Sequence, residues 1–185
     1  MTASRLPLPS ADELSADQRR VCDAIRSGPR GTVPDLFMAL LHNAELADRV
    51  QALGALLRYQ TSLEPRLSEL AILAVARHWS CQYEWHWHAP EAARAGLPDA
   101  VIDAIKHRRP PPLSAKDEVT VYDFTCELQM NRAVSDETYD NALRLFGPAG
   151  VVELTALNGY YAMIAMTLNE HRVPLPGGAA PQLPV

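Results

Sequence analysis

Residues 66–96 read RLSELAILAVARHWSCQYEWHWHAPEAARAG, and the two halves of this stretch make opposite demands on the chain. The first half is so apolar that a helix through it has almost no wet face apart from Glu69 and Arg77, so neighbours must enclose it. The second half crowds ionisable and aromatic side chains together. Pro65 suits the first position of a helix over 65–79, and Ser80 suits the cap of the helix that follows. The stretch is therefore a tight helical hairpin or one kinked rod.

In the second helix Cys81, Glu84 and His88 stand at i, i+3 and i+7, which brings them within roughly 60° of one another on one face. Glu69 is a carboxylate among Leu70, Ile72, Leu73 and Val75, desolvated unless paired, and His88 is the evident partner. Capping by Ser80 puts Cys81 in the first turn, where free N–H groups and the helix dipole favour a thiolate. Pro90 removes the hydrogen bond to the His86 carbonyl, so a bend is expected beside the histidines.

Working outward, Asn43 caps a helix over 44–59 with Leu46, Val50, Leu53, Leu56 and Leu57 inward and Glu45, Asp48, Arg49 and Arg58 outward. Before it, Asp12 or Ser15 caps a helix ending near Ser27. A Gly/Pro-rich loop over 28–33 follows, and Pro34 opens a short apolar turn or helix through Phe37 and Leu41. After the hairpin, Gly96 stops the helix and Pro98 opens a short one to Ile105. The connector KHRRPPPL over 106–113 is rigid and basic. Helix resumes at Ser114 and runs to Met130 through Val119, Tyr122, Cys126 and Leu128. Ser135 caps a helix that Gly147 stops, and Pro148 opens the last, to Glu170. That helix buries Val151, Leu154, Leu157, Tyr161, Ile164 and Leu168, with Gly159 for close approach. Residues 1–10 are a surface arm; the Pro/Gly-rich 174–185 is a tail, disordered or draped over another subunit. Nothing alternates with period two, so the class is all-α, one domain over 1–185 with its core at 35–172.

Seventeen basic and 22 acidic residues leave a net charge of −5, without the basic stripe that tracks phosphates, so nucleic acid is not an expected partner. No run reaches the roughly 18 uninterrupted apolar residues of a membrane helix, and the N-terminus lacks a charged region followed by an apolar run. A soluble, cytoplasmic protein is expected. Cys22, Cys81 and Cys126 are widely spaced, with no CxxC pair, which argues against a disulfide framework or zinc site. The six histidines form no HxxxH or HExxH spacing, so no metal is expected.

With Glu69 and ILAVARHWSCQYEWHWHAPEAARAGL in view, the chain resembles the carboxymuconolactone decarboxylase family, which includes the alkylhydroperoxidase D-like proteins. The match is most specific over 63–105 and extends across 35–175. Glu69, Cys81, Glu84 and His88 align in order and spacing with the family's Glu, first Cys, second Cys position and His. The second cysteine of the peroxidase branch is Glu84 here, so no intramolecular disulfide cycle carries over; Glu84, Trp85 and His88 look like the decarboxylase branch. The resemblance implies a helical bundle around the hairpin at 65–96 and a homo-oligomer, a trimer or hexamer. It also implies cofactor-free proton transfer on a small substrate, in the breakdown of aromatic compounds.

Three readings stand open. In the first, a carboxy-lyase acts on a small carboxylated lactone or ring compound, with His88 as proton donor, Glu69 orienting it, and Glu84 as general acid or base. Arg77 or Arg66 holds a substrate carboxylate, and Trp85, Phe37 and Tyr160 shape the pocket. In the second, Cys81 is the single cysteine of a thiol-dependent hydroperoxide reductase. In the third, the pocket binds a ligand without turnover.

Overall fold

A computed structural model describes residues 4–184; residues 1–3 of the expected arm and Val185 of the tail lie outside the described residues. Eight helices and two single 3-10 turns make up the regular structure among the described residues, without a strand. They are α1 (Ala16–Ser27), α2 (Asp35–Leu40), α3 (Ala44–Tyr59), α4 (Pro65–His78), α5 (Gln82–Arg94), α6 (Asp99–Lys106), α7 (Lys116–Asn131) and α8 (Asp136–His171).

Helix α4 is the axle. Leu70, Ile72, Leu73 and Val75 point around its whole circumference and are buried, because α5, α6, α7 and α8 surround it. Each such side chain contributes about 1.5–3 kcal/mol on leaving water. The outer layer is α1 and α2 on α3, with α2 and α3 also reaching α8.

The caps fall where the side chains allow. Ser15 and Gln18 form a reciprocal capping box, Asn43 Oδ1 accepts from Leu46 N, and Ser135 Oγ accepts from Thr138 N. Ser80 is a correction. Its φ is +49°, and Cys81 N donates to Ala76 O at 2.8 Å, so Ser80 ends α4 in a left-handed turn. One residue cannot be left-handed there and extended as the cap of α5, and the cap position passes to Cys81. Helix α5 then continues through Pro90 to Arg94.

Helix α3 is rotated from the leucine pattern. Its inner face is Ala47, Val50, Gly54 and Leu57, while Leu46, Leu53 and Leu56 stay about half exposed. Close packing explains this, since a Cβ on Gly54 would overlap the Tyr160 hydroxyl of α8. Gly159, expected at a close approach, faces open space among the described residues.

Helix α7 starts at Lys116 behind Ala115, without help from Ser114, and turns Val119 outward. Glu118 and Thr125 are buried instead because Arg66 pairs with Glu118 and Asn158 Nδ2 donates to Thr125 Oγ1. Gly147, at φ +66° and ψ 178°, breaks α8 where the stop was expected; beyond it all six predicted inward residues are buried. By length and composition α8 could cross a membrane, although it has no uninterrupted apolar run of that length, and half of its apolar window is buried inside the fold. The tail docks on its own chain: Gln182 N and Leu183 N donate to Gln82 Oε1, and Leu183 is buried.

Candidate active site

Of the hairpin, α5 faces a cavity of about 340 Å³, closed on the other sides by the end of α3, the C-terminal half of α8, α2 and the loop before it. Helix α5 carries Tyr83, Glu84, Trp87, His88 and Glu91 into its wall. Apolar Phe37, Leu36, Ile164 and Leu168 complete it.

His88 and Glu69 meet, as the cost of an unpaired carboxylate in α4 implied: His88 Nδ1 lies 2.7 Å from Glu69 Oε2, both side chains buried. With Glu69 ionised, this bond needs a proton on Nδ1, which leaves Nε2 as the free ring nitrogen. The edge of Tyr161 meets the imidazole at 5.0 Å between centroids, fixing the ring further.

Glu84 is the unusual group. It is only 2% exposed, and neither carboxyl oxygen has a hydrogen-bond partner among the described residues. Burial raises its pKa well above the ordinary 4.5, outweighing the Cys81 thiol beside it. The carboxyl therefore keeps its proton at pH values where an exposed glutamate has lost it.

Cys81, the fourth residue of the aligned set, is fully buried. Burial, and then the nearby Glu84, push its thiol far up, so the thiolate expected at this helix start does not form. Arg77 is elsewhere. Its guanidinium bonds Lys106 O, Ser80 Oγ and Pro184 O at 2.8–3.2 Å and lines a separate cavity of about 600 Å³ with Arg108. Arg66 is an ion pair with Asp117 and Glu118. Trp85 is enclosed in the core and off the cavity wall, whereas the half-exposed Trp87 lines it. Phe37 and Tyr160 do line the cavity.

The cations at the cavity are Arg58 and Arg30, which the sequence reading missed. Arg58 was expected outward but turns in, 4.0 Å from Glu69 Oε1 and 3.8 Å from Glu91 Oε1. A cation at a helix C-terminus is ordinary, so nothing in the sequence marks it. Trp87 and Glu91 were findable, because they extend the stripe of Glu84 and His88 at helical spacing. Among the described residues no three His, Cys, Asp or Glu side chains converge as a metal site.

Residues 44–117, from α3 to the start of α7, match the model of the carboxymuconolactone decarboxylase family. Over that segment the chain is similar to the family. Solved structures extend the likeness to the whole fold. An uncharacterized peroxidase-related protein from Ralstonia eutropha, described as an alkylhydroperoxidase AhpD core, is 16% identical, with a TM-score of 0.78 over 98% of this chain and 99% of that one. An uncharacterized peroxidase-related protein from Silicibacter is 18% identical, with a TM-score of 0.76 over 98% and 96%. The debrominase Bmp8, in its apo form, is 14% identical, with a TM-score of 0.71 over 93% and 91%. At these identities what is shared is the all-helical AhpD-like fold. No curated protein matches the chain.

The carboxymuconolactone decarboxylase family segment contains Glu69, Cys81, Glu84 and His88, with Arg58 at its near end. Arg30 and the two tyrosines of α8 reach the same cavity from outside it. Segment and fold together make the chain similar to the carboxymuconolactone decarboxylase family over 44–117 and AhpD-like in fold.

Proposed function

We propose that the protein is a cofactor-independent acid/base enzyme, a decarboxylase or closely related lyase, acting on a small carboxylated lactone or ring compound. The observation that carries this reading is Glu84, a neutral, unpartnered carboxylic acid on the wall of a ligand-sized cavity. When carbon dioxide leaves a carbon conjugated to a carbonyl, the C–C bonding pair moves onto the carbonyl oxygen as an enolate. Glu84 donates a hydrogen bond to that oxygen and keeps its proton through the step. His88, held by Glu69, delivers a proton to carbon and is reprotonated from solvent, so the reaction consumes one proton for each carbon dioxide released.

A thiol peroxidase reading has less behind it, because Cys81 is buried as a thiol and position 84 offers no resolving cysteine. The test is parallel turnover by the purified protein: decarboxylation of carboxymuconolactone, and thiol-dependent loss of a hydroperoxide. Wild type and Cys81→Ser are expected to decarboxylate within about threefold of each other, since the thiol contributes no proton or nucleophile. Hydroperoxide loss that vanishes in Cys81→Ser would reverse the assignment, and silence in both assays would favour ligand binding without turnover.

The protein also assembles, in this reading, as a trimer or hexamer. Leu46, Leu53, Leu56 and Tyr59 stand 43–47% exposed along α3, an apolar stripe that water disfavours. Tyr59 also lines the cavity, so a neighbour on this stripe borders the site. Light scattering is expected to give a multiple of 20.4 kDa, and Leu53→Glu with Leu56→Glu to shift it toward monomer. A monomeric wild type defeats the proposal.

A further inference from the structure

The loop before α2 holds a guanidinium whose charge no carboxylate balances. Arg30 lines the same cavity as Glu84 and forms no ion pair among the described residues. Neutral groups hold it there. Its Nη1 donates to Gln51 O at 3.1 Å, its guanidinium carbon lies 5.0 Å over the Phe37 ring, and the Tyr160 hydroxyl stands beside it. Arg58 differs, facing Glu69 and Glu91 and so partly neutralised before any ligand arrives.

The space for this arrangement comes from α3. A Cβ at Gly54 would fall 2.7 Å from Arg30 Nη2 and overlap the Tyr160 hydroxyl, so any larger residue displaces both. Gly54 is therefore a positioning residue, one layer behind the cavity wall.

We propose that Arg30 is the anion receptor of the cavity, kept in place by Gly54 and Tyr160, and that it selects a small ring compound carrying a carboxylate. The proposal rests on the site assignment above and adds to it the residue that reads the substrate's carboxylate. A guanidinium held by neutral partners keeps its full charge and unused donors for a bidentate carboxylate. Phe37, Leu36 and Ile164 supply the apolar wall a ring needs, and about 340 Å³ lies at the small end of ligand pockets.

The test uses benzoate and its neutral isostere benzamide, with binding read by the fluorescence of Trp87 on the cavity wall. Wild type is expected to bind benzoate about 10- to 100-fold more tightly than benzamide, the ordinary range for a charge-assisted hydrogen bond. Arg30→Gln should bring benzoate down to the benzamide level, and Arg30→Lys should recover part of the difference. Gly54→Ala should weaken benzoate selectively. Thermal melting confirms that each variant is folded, and if Gly54→Ala is not, the Arg30 pair still decides the matter. Equal affinity of the two probes in wild type, no binding of either, or a preference that survives Arg30→Gln would each overturn the proposal. Binding is read without turnover, so a benzoate preference in a protein that fails to decarboxylate would keep the receptor and discard the reaction.

Discussion

Glu84→Gln is expected to lower decarboxylation by about 10²–10⁴-fold, the usual contribution of a positioned acid, while leaving the fold intact. The second half follows from the protonation state. Burial keeps the folded Glu84 protonated well above 4.5, so glutamine replaces one neutral group by another of the same shape, and the fold loses no charge. The two chains should nonetheless differ in their response to pH. Between 4.5 and its raised folded pKa, native Glu84 binds a proton that the unfolded chain has released. Stability from this group is full below 4.5 and is lost as pH rises through that interval, by at most about 1.4 kcal/mol per pH unit. Glutamine has no such slope. Urea unfolding from pH 5 to pH 8 should therefore show the variant gaining on the wild type as pH rises. Cys81 does not confuse the comparison, because its unfolded thiol titrates near 9.0, above this range. Parallel pH profiles would mean that Glu84 is charged in the folded state, and the acid role would fall with it.

Features that depend on chemistry local in the chain are legible in the sequence. Asn43, Ser15 and Ser135 cap because a short polar side chain meets free N–H groups within three residues. The enclosed character of α4 is written in its lack of a polar face, and the pairing of Glu69 with His88 follows from the cost of leaving either alone. Orientation relative to other helices is not legible in the same way. On α3 the leucines imply one face, but Tyr160 of α8 approaches so closely that Gly54 must be inside. That rotation also turns Arg58 toward the cavity. Likewise Trp85 and Trp87 are equivalent aromatics in sequence, and only the position of α4 behind α5 makes one core and the other wall. Arg30 sits in a loop without periodicity, so no pattern could aim it.

Glu69→Ala is expected to cost about 3–5 kcal/mol of stability, the range for removing one partner of a buried pair, and to abolish measurable turnover. It leaves His88 Nδ1 buried without its acceptor and takes from Arg58 one of its two facing carboxylates. For a chain of this length the melting temperature should fall by roughly 6–20 °C. That loss alone would not separate a catalytic pair from a network that only braces the hairpin. Glu69→Gln separates them. Its carbonyl oxygen still accepts from Nδ1–H, so the ring stays oriented and most of the stability remains, but a neutral amide cannot stabilise the imidazolium that proton delivery passes through. The expected result is a melting temperature close to that of wild type with turnover down by about 10²-fold or more. If Glu69→Gln keeps both stability and turnover, the carboxylate charge has no part in the chemistry, and the pair serves only to hold α5 against α4.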